Sequence, residues 1–121
     1  VRLATSTFVL RDGQVLMTRR NRTRWALPSG DLTPGERLVD AVARRTRDTT
    51  GVDVFVTGLV GVYNGPEQLS LCFRAHPLSG EPTSPDVRWV DPTEFRTLDI
   101  PPETLRRIGH GLADRPLPYL G

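Results

Sequence analysis

Apolar and polar residues alternate along the chain with two different spacings. Residues 4–10 (ATSTFVL) and 14–20 (QVLMTRR) are apolar-rich runs on either side of Asp12-Gly13. Asp-Gly tolerates positive φ at both turn positions, so the pattern predicts two strands joined by a tight hairpin. Residues 21–35 hold two Pro and two Gly and predict a long loop. The spacing then changes to that of a helix over 36–50, with Leu38, Val39, Ala41, Val42 and Thr46 as its apolar stripe. Pro34-Gly35-Glu36 opens this helix, and Gly51 is the expected left-handed stop. Strands are expected at 52–62 and 69–75, a loop at 77–85 and a strand at 87–90. Asp91-Pro92 predicts a capped helical turn at 92–96, a final helix spans 102–113, and the tail RPLPYLG is expected to be irregular.

The chain shows no repeat, heptad or low-complexity tract. Strands grouped around one mid-chain helix predict a mixed central sheet with helices packed against it, an α+β arrangement of α–β–α sandwich type. At 121 residues the expectation is a single domain spanning 1–121, and 37% apolar content suffices for one core. No apolar run approaches the roughly 18 residues of a membrane span, so no membrane partner is expected. No signal pattern opens the chain, and the cytoplasm is the expected location. Its start at Val1 rather than Met implies that residues preceded it. The lone Cys72 excludes an intramolecular disulfide and an all-cysteine zinc site; between Leu71 and Phe73 it reads as an inert buried thiol.

Charge adds one sharper fact. Sixteen basic residues face fourteen acidic ones, for a net +2, and every basic residue is Arg. Arg stays charged at any workable pH and presents a planar donor fork suited to carboxylates and phosphates.

The segment WALPSGDLTPGERLVDAVARRTRDTTGV (25–52) resembles the signature of the Nudix hydrolases: a Gly, five residues, Glu, seven residues, Arg-Glu, an aliphatic, any residue, Glu-Glu, any residue, Gly and an aliphatic. Gly30, Glu36, Arg44, Gly51 and Val52 fall on that pattern, with Trp25-Ala26-Leu27-Pro28 and Pro34-Gly35 in their usual flanking places. The resemblance implies a Nudix-type sandwich and a family activity: hydrolysis of a nucleoside diphosphate linked to a variable group, with Mg²⁺ or Mn²⁺ polarising the phosphoryl oxygens. It also implies a possible homodimer.

The departures fall on the chemistry. The resemblance assigns most of the metal site to three glutamates, and Arg45, Asp48 and Thr49 stand in their places, while Thr46 replaces an aliphatic. Positions 45, 48 and 49 share one helix face. Three carboxylates there would suit a hard divalent cation. Two unit charges about 4 Å apart interact by roughly 4 kcal/mol at an effective dielectric of about 20, so placing Arg in a ligand position reverses a term of that size and a dication doubles it. The remaining metal candidates are Gly30 and Asp48, and the alternative use of Asp48 is an ion pair with Arg45. Glu36, Arg44 and Asp48 are the catalytic candidates, the Glu36–Arg44 pair read as fixing loop to helix. Glu67, Glu81 and Asp86 are loop acids that could supply a base or a ligand.

The run Arg19-Arg20-Asn21-Arg22-Thr23-Arg24-Trp25 sets four guanidiniums beside an indole. Arg20 and Arg24 are candidates to grip phosphates and Trp25 to stack a base; Arg45 could join the same anion site. His76 and His110 have no spacing that suggests a metal, and Trp89 alternates so as to face the core. Three readings follow. In the first, the fold binds a nucleotide or other phosphorylated small molecule, with metal-dependent hydrolysis weak or lost. In the second, it is an active hydrolase whose ligands, Asp48 with loop acids, are rearranged around Mg²⁺ or Mn²⁺. In the third, the Arg run binds nucleic acid, against which the low net charge and the lack of a reading motif both count.

Overall fold

A computed structural model of the protein describes residues 2–20 and 22–121. Asn21, within the Arg-rich run, lies outside the described residues. Strands β1 (Arg2–Arg11) and β2 (Gln14–Arg19) form the expected hairpin, with Asp12 and Gly13 both at positive φ. The loop that follows contains two short strands, β3 (Trp25–Ala26) and β4 (Ser29–Asp31). Helix α1 (Leu38–Thr50) leads into β5 (Val52–Asn64), β6 (Gln68–Gly80) and β7 (Val87–Val90). A 3₁₀ turn at Pro92–Glu94, helix α2 (Pro102–Ala113) and β8 (Tyr119–Leu120) complete the chain.

The sheet is mixed, in the order β3-β2-β1-β6-β5-β8, with β4 also on β1 and β7 also on β2. β1 runs parallel to β6 and β8 parallel to β5; the other pairings are antiparallel. β1 is buried without interruption from Thr5 to Val9, as a strand covered on both faces must be. Thr7 Oγ1 lies 2.9 Å from Thr46 Oγ1 of α1, whereas the ring of the next residue, Phe8, lies against Gly111 of α2. Adjacent side chains on a strand point to opposite faces, so the two helices cover opposite sides of β1. The two cores follow the same parity. Phe8, Met17 and Ile108 belong to one, and Val9, Leu16 and Val52 to the other. Among the described residues, no helix is long and apolar enough to cross a membrane.

Four expectations need correction. α1 begins at Leu38, two residues late, with Arg37 at its N-cap, so Glu36 sits in the preceding loop and not in the helix. Its sheet contact is Ala41, Val42, Thr46 and Thr50, while Leu38 and Val39 stand in solvent at 36% and 42% exposure. β6 continues through the segment expected to be a loop: its pairing with β1 ends at Ala75, and a register shift near Val54, opposite Pro77, leaves that proline no ladder donor to supply. The tail is not irregular throughout, because Tyr119 stacks on His110 at 4.2 Å between ring centroids and lays β8 along Gly61 and Val62. Gly51 behaves as expected. Its φ is +84°, its N–H donates to the Arg47 carbonyl at 2.8 Å, and an added Cβ would stand 2.6 Å from the Glu81 carbonyl oxygen.

Candidate functional site

α1 carries the signature residues, and its helical repeat sends neighbouring arginines in different directions. Arg44 reaches back to the loop. Its Nε donates to Glu36 Oε2 at 2.8 Å and its Nη2 to Oε1 at 2.6 Å, a bidentate clamp across eight residues. That hydrogen bond is the main reason the Glu36 carboxyl is held below its ordinary value and the Arg44 guanidinium above its own. Asp48 is one turn further along the same stripe, with Oδ2 3.6 Å from Arg44 Nη1 and Oδ1 3.8 Å from Arg47 Nε. The expected Asp48–Arg45 pair is therefore replaced by pairs with Arg44 and Arg47.

Arg45 turns toward β4. Gly30 pairs with Thr5 on β1 and has no side chain to occupy the space above it. A Cβ added at Gly30 would lie 2.7 Å from both Cδ and Nη1 of Arg45, so the guanidinium lies over the bare glycine backbone. Beside it opens a cavity of about 370 Å³. Arg20 borders it from just past β2, Arg2 from β1, Arg107 from α2, and Ser6, Ser70 and Gln68 from β1 and β6. Asp31 is its carboxylate, and both oxygens of Asp31 accept from Arg2 Nη2 at 3.1 Å. Among the described residues, no carboxylate lies within 4.0 Å of Arg20, Arg45 or Arg107. Arg45 Nε and Arg107 Nε are buried and bonded to nothing, and the Ser6 hydroxyl lies beside the Cys72 thiol, which it faces across the β1–β6 pairing.

The other candidates are scattered. Arg24 is exposed and paired with Asp99 at 3.2 Å, outside the cavity. Trp25 does not offer a stacking face. It is 4% exposed within the core, with the guanidiniums of Arg19 and Arg88 at 4.7 and 5.5 Å from its ring. Glu81 is held by Arg11 at 3.0 and 3.2 Å, and Asp86 by Arg19 at 3.1 Å. The Glu67 carbonyl accepts from the Arg2 N–H at 3.1 Å, and its side chain is exposed. Asp86 and Thr49 share a smaller cavity of about 110 Å³ with Arg20 and Ser29. Among the described residues no group of three His, Cys, Asp or Glu is placed to hold a metal ion.

Cys72 is fully buried, which pushes its thiol up. Trp89 is half-buried against the second core, with Arg11 4.2 Å above its ring. His76 is exposed. His110 Nδ1 lies 2.7 Å from the Tyr63 hydroxyl. Burial pushes Tyr63 up to about 12 and, with Arg106 and Arg115 nearby, pushes His110 down, so the contact joins a neutral phenol to a neutral imidazole. Sequence pattern carried no signal for Arg107, Ser6 or Ser70. Parallel pairing of β1 with β6, and the placing of α2 beside them, bring these together.

A family model described as NUDIX domain matches residues 1–110. Over 93 residues the chain is 38% identical to a MutT-like protein of Streptomyces ambofaciens, covering 71% of this chain and 60% of that protein. Over 89 residues it is 28% identical to an ADP-ribose pyrophosphatase of Methanocaldococcus jannaschii, covering 65% and 53%. The chain thus spans less than two thirds of either relative's length. The crystal structure of a NUDIX hydrolase from Nitrosomonas europaea superposes with a TM-score of 0.82 at 24% identity, over 99% of this chain and 77% of that one.

Proposed function

The chain belongs to the Nudix family, and from that premise we propose that it works as one domain that binds a nucleotide or other phosphorylated small molecule, with metal-dependent hydrolysis weak or lost. One observation carries this reading: Arg45, at the first of three positions where the family resemblance expects carboxylates, lies over Gly30 and lines the cationic cavity. The donor set does not fit a divalent cation. It offers Arg45, a Thr49 hydroxyl and an Asp48 carboxylate already paired with two guanidiniums, whereas Mg²⁺ and Mn²⁺ select clusters of hard anionic oxygen. Guanidiniums in place of the metal would attract the same phosphates and would generate no hydroxide nucleophile.

The test is turnover of a panel of nucleoside diphosphate derivatives by the purified chain with Mg²⁺ or Mn²⁺. Rates near background are expected, with ligand-dependent stabilisation in EDTA. Vigorous metal-stimulated turnover would overturn the reading.

A second reading, active hydrolysis from a rearranged site, is favoured by the placing of Asp86 beside Thr49 in the smaller cavity. In that case Asp86→Asn and Asp48→Ala each abolish a metal-dependent rate that the unaltered chain shows.

A further inference from the structure

We infer that the cavity between Arg45 and Arg107 holds the phosphate of a sugar phosphate, without a metal ion and without recognition of a nucleobase. The inference rests on the ligand-binding reading above and names the ligand class. Arg20 follows β2, Arg45 lies on α1 and Arg107 on α2, so three distant parts of the chain bring guanidiniums to one opening of about 370 Å³. Like charges gathered with no carboxylate of the described residues within 4.0 Å of them repel one another, and an anion is what relieves them. Arg45 and Arg107 also bury an Nε that bonds to nothing. Unpaired buried donors are costly, and two of them beside one opening point to a ligand that completes them. The planar forks of Arg match the oxygens of a phosphate. The cavity's carboxylate, Asp31, is already closed by Arg2, which leaves nothing to attract a cation.

The rest of the lining decides what the phosphate is attached to. The volume is at the lower end of small-molecule sites and exceeds the needs of a bare phosphate. Ser70 and Gln68 present a hydroxyl and an amide, joined by a hydrogen bond of 3.2 Å from Gln68 Nε2 to Ser70 Oγ, and suited to sugar hydroxyls. No aromatic residue lines the cavity, and Trp25 is enclosed elsewhere. Base recognition draws on stacking, and this cavity supplies none.

The experiment measures binding in EDTA, by calorimetry and by melting temperature, for inorganic phosphate, ribose 5-phosphate, AMP and adenosine. Phosphate and ribose 5-phosphate are expected to bind, the sugar phosphate more tightly, and saturation should raise the melting temperature by roughly 5 °C. AMP should bind no more tightly than ribose 5-phosphate, and adenosine should produce no shift. Arg107→Gln and the exposed Arg20→Gln should each weaken ribose 5-phosphate by about tenfold. Ser70→Ala should weaken ribose 5-phosphate while leaving inorganic phosphate unchanged. Absence of binding in EDTA, or unchanged affinity in the folded Arg20→Gln and Arg107→Gln proteins, would overturn the inference. AMP binding about tenfold more tightly than ribose 5-phosphate would overturn it while leaving the nucleotide-binding reading in place. Metal-stimulated hydrolysis alongside EDTA-resistant, Arg107-dependent binding of ribose 5-phosphate would do the reverse.

Discussion

Arg44 and Arg45 are adjacent on one helix and differ in almost every other respect. Arg44 is satisfied: two hydrogen bonds hold it to Glu36, and Asp48 approaches from the next turn. Arg45 lies over Gly30 with its Nε buried and unbonded, facing a cavity that two further unpaired guanidiniums share. The first arrangement is what folding alone asks of a charged side chain, since it closes a loop onto a helix. Among the described residues the second makes no ion pair, and only its charge is felt at Glu36. A site for a foreign anion differs from a structural ion pair in this way, because the structural pair is complete without the ligand.

The sharpest way to break the comparison is to reverse the charge at Arg45. Arg45→Glu should weaken phosphate binding in EDTA by roughly a hundredfold, since one attraction is lost and a repulsion gained. It should leave the melting temperature level or higher, because Arg45 has no internal partner to lose. Arg44→Gln should show the opposite order, with its first effect on the melting temperature as the loop loses its clamp. If both substitutions move both measurements equally, the division between them fails.

The next effect is structural. α1, which presents the two arginines about 100° apart, ends at Gly51. Gly51→Ala must hold a side chain at φ +84° and drive a Cβ against the Glu81 carbonyl. A cost of about 2 kcal/mol is expected in chemical denaturation. Smaller still is Gly30→Ala. The added methyl meets the flexible end of Arg45, so stability should hardly change while ribose 5-phosphate binding weakens by roughly threefold. A stability loss comparable to that at Gly51 would show that Arg45 is anchored more firmly than its missing partners imply.

The elements legible in the sequence were those with local causes. Asp12-Gly13 fixes the first turn, Gly51 ends α1, and Asp91 caps the turn at Pro92 through a complete capping box. The full lengths of β5 and β6 were not legible, because a strand reaching past Pro77 depends on which neighbour it pairs with. β8 was hidden for the same reason, as two residues have no periodicity, and pairing with β5 together with stacking on His110 and Tyr63 holds them. The frame of the site, Gly30, Glu36 and Arg44, could be read from the resemblance to the Nudix signature. The direction taken by Arg45 could not, since it depends on a glycine fifteen positions earlier being bare. Trp25 misled because it closes an Arg-rich run, whereas its ring belongs to the core cluster of Met17, Leu27 and Ile108 and is covered by Arg19 and Arg88.

Acid titration reads the satisfied pair, with a smaller contribution from the charge of Arg45. Glu36 ionises below its ordinary value of 4.5 in the folded chain because Arg44 donates to it. Between that lowered value and 4.5 the unfolded chain binds more protons, so this contribution to stability is complete above about 4.5 and is lost as pH falls through the folded value. His110 is also depressed, from 6.5, so the Tyr63 contact begins to lose its advantage at higher pH, as the unfolded imidazole takes up a proton that the folded one resists. Stability plotted against pH should therefore fall in two stages, one starting near 6.5 and one below 4.5. Arg44→Gln should shrink the lower stage to the part set by Asp91, whose carboxyl the Thr93 N–H and hydroxyl hold below its ordinary value, and spare the upper; His110→Gln should flatten the upper stage and spare the lower. If Arg44→Gln leaves the lower stage intact, the clamp does not set Glu36, and the contrast between the two neighbouring arginines loses its satisfied half.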